Sequence, residues 1–446
     1  MAKSAPIFVC GPKGSGKSTF STLLTNRLLT QPQSAPKRKG RALEAGVVVL
    51  DLDPGQPGFC PAGTVSLLLI RKPNISPPFA HPWPDSSSTK LIRCHALASV
   101  NPGSDPDLFM ECALDLYGQY QNHWNGYPLV VNTPGWILGT GLDLLALLIA
   151  RIRPREVIYM SEEGPAETVE ELQTVCKKTS TFFTLPSQQS GSGSSKTAAQ
   201  LRAMQTMAYF HTQGRPGSGQ FSWNPSPLST ISPWRVKYSG PNRGFAGIMC
   251  YGGRIDPTLL AEAINGMVLA AVEIEDEKAI RRRGSESASM DVDAADEGML
   301  DSMERLIRRT PEGIPYFEQG EDETLDPHYS RTIGLVLVRG VDTDDAALQI
   351  LTPIPSLTLR EIRQNGRHVM LVHGQFDAPT WAYTEDLYEK EFKAEGEDED
   401  EESESEEEGD AAGVNRPWVE GVSGERRRQA GAGTWRVRRD LGKQNR

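Results

Sequence analysis

The sequence predicts an α/β fold, in which a core with a mostly parallel sheet and helices on both faces precedes a smaller, mainly β C-terminal domain. In residues 1–222, short apolar runs alternate with amphipathic segments, and this order of elements builds a parallel sheet covered by helices. After about residue 222 the apolar runs become short and β-like. We therefore expect one domain over 1–222 and a second over 223–392.

The individual elements follow from apolar periodicity and composition. Apolar runs rich in β-branched residues predict core strands over 7–10, 47–52, 128–132 and 156–160. Helical periodicity predicts helices over 19–29, 106–121, 142–152 and 197–211. In the second domain, β-like runs cover 236–238, 333–338, 348–351 and 368–372. Pro- and Ser-rich residues 71–89 predict a loop, and 187–196 a flexible Ser/Gly/Gln segment.

Three further segments are predicted to be disordered. Residues 276–300 are polar and rich in Ser, Ala and Asp, which predicts an insertion in the second domain. Residues 395–410 hold twelve acidic residues and no basic one, so the net charge of −11 arises there and the rest is close to neutral. We expect an acidic linker over 393–410 and a basic tail over 411–446.

Cysteine and histidine usage limits the classes of protein that fit. The six cysteines are scattered without a C-x-x-C pair, and the seven histidines show no H-E-x-x-H spacing. This argues for a reducing compartment and against a disulfide scaffold or a zinc site. No basic region followed by a long apolar core begins the chain, and no apolar stretch is long enough to span a bilayer. We expect a cytosolic or nuclear protein.

The stretch IFVCGPKGSGKSTF fits the pattern G-x-x-x-x-G-K-[ST] at Gly11, Gly16, Lys17 and Ser18. A glycine-rich turn between a strand and a helix leaves backbone N–H groups free to bind anionic oxygens, and the helix N-terminus adds a favourable dipole. Lys17 is expected to reach the β- and γ-phosphates of a nucleotide, and the Ser18 hydroxyl to bind Mg²⁺. Lys13 could contact phosphate or be solvated.

A second motif, VVVLDLDPGQPGF, ends the second predicted strand. Asp51 and Asp53 lie at the end of this strand, near its tip. One carboxylate could direct Mg²⁺ and the other could accept a proton from an attacking hydroxyl. The turn that follows presents Gln56 from a loop. Taken alone, this is a strand end capped by turn residues, but a neighbouring phosphate loop needs a metal-directing carboxylate.

The third predicted strand ends in LVVNTPGW, in which Asn132 occupies the position where GTPases usually have aspartate. The acidic role is therefore expected to lie with Asp51 and Asp53. Trp136 offers a flat face for a nucleic-acid base or sugar, or it packs on the helix over 142–152. No N-K-x-D sequence, which reads guanine in GTPases, is present.

The predicted helix over 197–211 contains QLRAMQTMAYFH and follows the flexible segment. Arg202 therefore lies where a mobile lid would be attached, and a lid arginine can stabilise charge on a transferring phosphoryl group. The alternative is an exposed helix arginine without a function.

The motifs GPKGSGKSTF, DLDPGQPGF, NTPGW and LRAMQTMAYFH occur in the order and approximate spacing found in the eukaryotic polynucleotide 5′-hydroxyl kinases, which the chain resembles. The DPGQP form, YFH after the arginine and a C-terminal WRVRRDLG are similar to the nucleolar branch that processes ribosomal RNA. RTIGLVLVRGVD, at 331–342, also resembles the β domain of that branch. The similarity runs from residue 7 to about 383 and implies a P-loop NTPase core.

The resemblance assigns roles to individual residues. Arg202 would be the lid arginine, Asp53 the general base and Asp51 the Mg²⁺-directing carboxylate, although the two aspartates could be reversed. ATP phosphates would be bound by Gly11, Pro12, Lys13, Gly14, Ser15, Gly16, Lys17, Ser18 and Thr19. The substrate would be bound by Gln56 and by a clasp of Thr133, Gly135 and Trp136.

Two departures from the family pattern stand out. Family members carry a β-rich domain before the phosphate loop, whereas this sequence starts at the loop, so we expect a truncated or a reduced protein. The branch that processes mRNA has a second lid arginine where this sequence has Gln205. That glutamine could slow the chemistry or leave charge stabilisation to a partner.

The resemblance implies a kinase that uses ATP and Mg²⁺ to phosphorylate the 5′-hydroxyl of RNA in the nucleolus. It also implies an endoribonuclease partner in processing a spacer of pre-ribosomal RNA. Two alternatives remain open. One is a non-catalytic ATP-binding scaffold for an RNA-processing nuclease. The other is a kinase of small molecules or a GTPase, of which the missing N-K-x-D disfavours the GTPase.

Overall fold

Strands and helices alternate through the first half of the chain, as predicted. In chain order the strands are β1 (Ile7–Cys10), β2 (Lys37–Arg38), β3 (Arg41–Ala42), β4 (Val47–Asp51), β5 (Thr64–Ile70), β6 (Thr89–Ala96), β7 (Leu129–Asn132), β8 (Glu156–Met160), β9 (Thr181–Leu185), β10 (Thr212–Gly214) and β11 (Phe221–Trp223). The helices are α1 (Lys17–Thr30), α2 (Pro106–Gln119), α3 (Thr140–Ile152), α4 (Ala166–Cys176) and α5 (Ala198–Phe210). A π-helical turn at Tyr120–Trp124 extends α2.

The computed structural model describes residues 6–31, 37–38, 41–42, 45–81, 83, 88–161, 164–188, 196–214, 221–280, 306–317 and 324–385. The described residues all lie within one compact unit, Met1–Asp386. Most of the predicted insertion, the predicted acidic linker and the predicted basic tail lie outside the described residues. The proposed boundary at residue 222 stays a prediction.

Seven of these strands form one sheet in the order β6-β5-β4-β7-β1-β8-β9. The five strands β4, β7, β1, β8 and β9 pair in parallel. β5 and β6 add an antiparallel margin next to β4. The mostly parallel sheet is thus confirmed, and its antiparallel margin is an addition that the sequence analysis did not predict.

Neighbouring residues of a strand point to opposite sides of the sheet. Each side of this sheet carries apolar side chains, and helices cover both. In β1, Phe8 is buried in a core with side chains of α2 and α3, such as Leu116 and Leu148. The next residue, Val9, packs in a separate core on the other face, to which α1 contributes Leu24. This arrangement leaves the carboxyl ends of the parallel strands free to carry the polar motifs.

The second half of the chain forms an eight-stranded sheet, which confirms the mainly β C-terminal region. Its strands are β12 (Trp234–Lys237), β13 (Ile248–Cys250), β14 (Val268–Ile274), β15 (Ile307–Arg309), β16 (Pro315–Phe317), β17 (Ser330–Asp342), β18 (Ala347–Leu351) and β19 (His368–His373), in the order β12-β18-β17-β14-β19-β13-β16-β15. Within the described part of this region, two helices accompany it, α6 (Leu260–Ile264) and α7 (Ser356–Gln364).

Helix α5, which carries the predicted lid arginine Arg202, packs on the second sheet. Tyr209 and Phe210, at the end of α5, share a buried core with Val268, Leu335 and Val372 of the second sheet. The Tyr209 hydroxyl is also hydrogen-bonded to the Leu335 backbone, whose N–H donates to it at 2.8 Å. Among the described helices, none is both long and apolar enough to cross a membrane.

Candidate active site

The phosphate loop connects β1 to α1 and has the backbone that its sequence requires. Gly14 and Gly16 adopt φ angles of 78° and 93°, which only glycine adopts without strain. Gly16 precedes the first residue of α1, Lys17. The first N–H groups of α1 therefore lie beside the loop, where they can bind an anion.

Lys17 is folded back into the loop. Its side chain is buried, and Nζ donates a hydrogen bond to the Pro12 carbonyl at 2.8 Å. Burial lowers the pKa of Lys17, and the charge of Asp53 opposes that shift. The structure thus brings the predicted phosphate-binding lysine and the predicted base into electrostatic contact.

Asp51 lies deep in the site, with both carboxylate oxygens hydrogen-bonded. Gly58 N donates to Oδ2 at 2.7 Å, and Asn132 Nδ2 donates to Oδ1 at 2.9 Å. Burial raises the pKa of Asp51 to about 6, although these two hydrogen bonds oppose the shift. Asn132, which occupies the position of a GTPase aspartate, therefore orients Asp51.

Asp53 begins the loop after β4 and is only partly buried. Its Oδ1 accepts hydrogen bonds from Gly55 N at 3.0 Å and Gln56 N at 3.2 Å. Within the described residues, no hydrogen bond is made to Oδ2. Burial raises the pKa of Asp53, and the positive charge of Lys17 opposes this. The Gln56 side chain is exposed.

The NTPGW segment contacts the phosphate loop directly. A Cβ on Gly135 would lie 2.7 Å from Lys13 Cα, so only glycine permits this approach. Thr133 is buried and donates to the Val9 carbonyl at 3.0 Å, which ties β7 to β1. Trp136 is half-buried, and a Cβ on Gly103 would lie 3.1 Å from its ring.

Arg202 lies on the side of α5 that faces the second sheet. Its Nε donates to Asp377 Oδ2 at 2.6 Å, and a second guanidinium nitrogen lies 3.4 Å from Oδ1. It thus does not join Lys17 and Asp53 in this conformation. Asp377 is a partner that the sequence analysis did not identify, because 175 residues separate it from Arg202.

Gln205, one turn further along α5, is a second residue whose role the sequence analysis did not identify. Its side chain is buried, and Nε2 donates to the carbonyls of Pro57 and Cys60 at 2.9 and 2.8 Å. Gln205 thus fastens α5 to the loop that begins with Asp53. Met204 precedes it and Thr206 follows it, so the local sequence gives no signal that this side chain is buried.

Ser18 and Asp51 line one small cavity together with Asn132. In the parts of the chain that the structure describes, no cluster of three or more His, Cys, Asp or Glu could hold a metal ion. Mg²⁺ commonly takes one or two protein oxygens and completes its shell with water and phosphate. The predicted pair of a hydroxyl and a carboxylate fits that donor set.

These features define a P-loop domain whose strand ends carry two carboxylates beside a phosphate-binding lysine. Residues 11–212 match the family model described as the mRNA cleavage and polyadenylation factor CLP1 P-loop. The fold is similar to that of the chain titled "Structure of wild-type Clp1p-Pcf11p (454 -563) complex", with a TM-score of 0.50 and 14% identity over 84% of this chain and 76% of that chain. At this identity the likeness concerns the fold alone.

Sequence comparison is more specific. The chain is 46% identical, over 99% of its length and 61% of the relative's, to the polynucleotide 5′-hydroxyl-kinase GRC3 of Gibberella zeae. It is 39% identical to the protein of the same name from Aspergillus niger, over 85% of this chain and 49% of that protein. Over most of its length the chain is thus similar to polynucleotide 5′-hydroxyl kinases of the fungal Grc3 type. It spans between about half and three fifths of these relatives.

Proposed function

We propose that this chain carries the catalytic region of an ATP-dependent polynucleotide 5′-hydroxyl kinase, which transfers the γ-phosphoryl group of ATP to the 5′-hydroxyl of RNA. The observation that carries the proposal is the placement of Lys17 of the phosphate loop and Asp53 of the strand-end loop at the same edge of the sheet, where each charge acts on the other. Phosphoryl transfer needs a cation on the phosphates and a base on the acceptor hydroxyl, close together.

The loop fits a nucleotide in a further respect. Ser15 is buried within it, and its Oγ has no hydrogen-bond partner among the described residues. A buried hydroxyl without a partner is costly, and a phosphate oxygen could supply one. Ser18 and Asp51 would hold Mg²⁺, which supplies positive charge to the phosphate oxygens when it is bound.

Three other residues of the chain would each have a separate role in phosphoryl transfer. Lys17 would leave the Pro12 carbonyl and bind phosphate oxygens with its three N–H groups. Asp53 would accept the proton of the RNA 5′-hydroxyl at Oδ2, the oxygen that the protein leaves open. Its raised pKa suits a base that works near neutral pH. Arg202 would act on the transferred group only after it separates from Asp377.

We extend the proposal to the processing of a pre-ribosomal RNA spacer in the nucleolus, together with an endoribonuclease that leaves a 5′-hydroxyl end. Support comes from the resemblance of the DPGQP and YFH segments to the nucleolar branch. Of the motifs behind that resemblance, WRVRRDLG lies at 435–442, outside the described residues.

Transfer of labelled γ-phosphate from ATP to a 5′-hydroxyl RNA oligonucleotide tests the activity. We expect label on the RNA with the wild-type chain and at least a 100-fold loss with Lys17→Ala and with Asp53→Asn. Lys237→Ala, on the exposed strand β12, is the matched control and should keep full activity.

Two outcomes would contradict the proposal. Equal label on an RNA that already carries a 5′-phosphate would show that the hydroxyl is not the acceptor. No label with the wild type, combined with a higher melting temperature in ATP, would instead support the non-catalytic scaffold, because a ligand that binds only the folded state stabilises it.

A further inference from the structure

A cavity of about 270 Å³ lies between α5, the second sheet and residues 376–381. Its walls include Gln200 and Ala203 of α5, Val100 from the loop after β6, and the aromatic residues Phe376 and Trp381. The proposed function assigns nothing to this space. Its volume is just below the range typical of pockets for drug-sized ligands, so it suits one flat ring system better than a longer segment.

The cavity adjoins the place where the acceptor hydroxyl would lie. The Val100 carbonyl oxygen would lie 3.1 Å from a Cβ on Gly55, and Gly55 N donates to Asp53. One wall of the cavity therefore contacts the loop of the predicted base. The same Val100-containing loop approaches Trp136 through Gly103.

The loop over 99–104 thus separates Trp136 from the cavity, and hydrogen bonds hold it in place. The Ser99 and Ser104 hydroxyls are 2.9 Å apart, and Ser104 Oγ donates to Gln375 Oε1 at 3.1 Å. Gln375 directly precedes Phe376 in the aromatic wall. A strand with its 5′ end at Asp53 would therefore find an aromatic surface on each side of this loop.

The chemistry of the walls matches a nucleobase. Phe376 and Trp381 offer the aromatic faces on which bases stack. Gln200 uses Oε1 to accept from Thr197 N, which leaves its Nε2 amide group to donate to a ring nitrogen or carbonyl. Asp377 also lines the cavity and adds an acceptor group.

We propose that this cavity is a subsite for one base of the substrate strand, next to the terminal nucleotide. The inference rests on the proposed function, since it takes RNA as the substrate. A peptide would be held mainly through its backbone by an open sheet edge or a long groove, and the cavity provides neither. A base needs only stacking faces and a few edge contacts, which the cavity does provide.

Filling the cavity tests the proposal. Ala203→Leu adds a side chain into it, whereas Ala198→Leu makes the same change on the same helix at a residue that does not line it. With a 5′-hydroxyl oligonucleotide of ten uridines, we expect Ala203→Leu to raise the KM for RNA about tenfold, as expected for the loss of one stacked base. The KM for ATP should not change, and Ala198→Leu should behave as the wild type.

Two further measurements keep the proposal falsifiable. Val100→Leu fills the cavity from the opposite wall and should reproduce the effect if Ala203→Leu fails to fold. An oligonucleotide with one 4-thiouridine near its 5′ end should crosslink to residues 376–381 under ultraviolet light. Equal RNA affinity in all variants, or crosslinks confined to other segments, would overturn the subsite.

The outcome can be separated from that of the kinase proposal. Fluorescence anisotropy of the same oligonucleotide measures binding whether or not phosphate is transferred. If the wild type binds RNA without phosphorylating it, a tenfold weaker complex with Ala203→Leu still supports the subsite. If binding is absent, or is equal in Ala203→Leu and Ala198→Leu, the subsite is wrong even if the kinase is active.

Discussion

Asp51 and Asp53 are two residues apart, yet the structure gives their carboxylates different surroundings. Both oxygens of Asp51 accept hydrogen bonds, from Gly58 and Asn132. Asp53 uses only Oδ1 in this way and lies within the field of Lys17. A carboxylate with an open oxygen, like that of Asp53, can accept a proton. A carboxylate whose two oxygens are both fixed by N–H donors, like that of Asp51, is better suited to hold a hydration shell. This difference favours Asp53 as the base.

The pH dependence of stability should report the burial of Asp51. Because its folded pKa is about 6 and its unfolded pKa about 3.9, the folded state binds more protons between these values. Stability contributed by this group is therefore highest at low pH and declines as pH rises from about 4 to 6. Asp51→Asn does not ionise. We thus expect its stability relative to wild type to improve by on the order of 1 kcal/mol between pH 4 and pH 7.

Urea unfolding at several pH values measures that difference. Asp107→Asn is the control, because the Asp107 side chain is exposed in the first turn of α2. It should show no comparable trend with pH. The stability of Asp51→Asn relative to wild type could instead stay constant or fall with rising pH. That result would show that burial does not raise the pKa of Asp51 in the folded state.

At the scale of elements, α5 is attached to the catalytic loop through one side chain. Gln205 Nε2 donates to both the Pro57 and Cys60 carbonyls, while Asp53 holds the other end of that loop. A movement of α5 is therefore transmitted to the loop of the predicted base. The amide does not stabilise phosphoryl charge as a second lid arginine would, so we infer that Gln205 is a positioning residue.

Replacement of Gln205 should lower the rate of transfer more than it affects nucleotide binding. Gln205→Glu keeps the shape of the side chain but cannot donate to the two carbonyls, so we expect kcat to fall about tenfold with little change in the KM for ATP. Gln205→Leu should behave similarly. Gln173→Leu, on the exposed face of α4, is the control. Full kcat in Gln205→Glu would contradict the positioning role.

How far the sequence predicts the structure differs between elements. The bounds of β1 and β8 agree with the predicted 7–10 and 156–160, because both are short, mainly apolar runs that the sheet buries after their first residue. β6 was not predicted, since Arg93 and His95 interrupt its apolar pattern. Both are buried against partners from elsewhere in the chain, and local pattern cannot show such partners.

The same limit applies to the candidate site. That Lys17 and Asp53 lie at one edge of the sheet could be predicted, because the carboxyl ends of parallel strands meet there. The position of Arg202 could not, since its ion pair with Asp377 depends on how α5 packs on the second sheet. Interactions that depend on distant packing leave no periodic signal in the sequence.

At the scale of the whole molecule, Arg93 joins the two sheets. From β6, its guanidinium lies 2.8 Å from Asp115 on α2 and donates at 2.9 Å to Glu275, which follows β14. It also donates to the carbonyls of Pro327 and Ser330 at 2.9 and 2.8 Å. The side chain is buried, so these contacts are shielded from water. Arg93 therefore links β6 and α2 to the segment before β17 through buried polar contacts.

Removal of Arg93 should therefore destabilise the protein far more than loss of an exposed ion pair. Arg93→Met leaves the buried Asp115 carboxylate with His95 but without its arginine, and takes this donor from two carbonyls. We expect a loss of about 3–5 kcal/mol in the free energy of unfolding. Arg155→Met removes an exposed arginine that lies 3.8 Å from Glu156, and should cost less than about 1 kcal/mol. Urea unfolding compares them. Adding Asp115→Asn to Arg93→Met should recover part of the loss, because it removes the stranded charge; a purely additive double variant would show that the cost lies in packing alone.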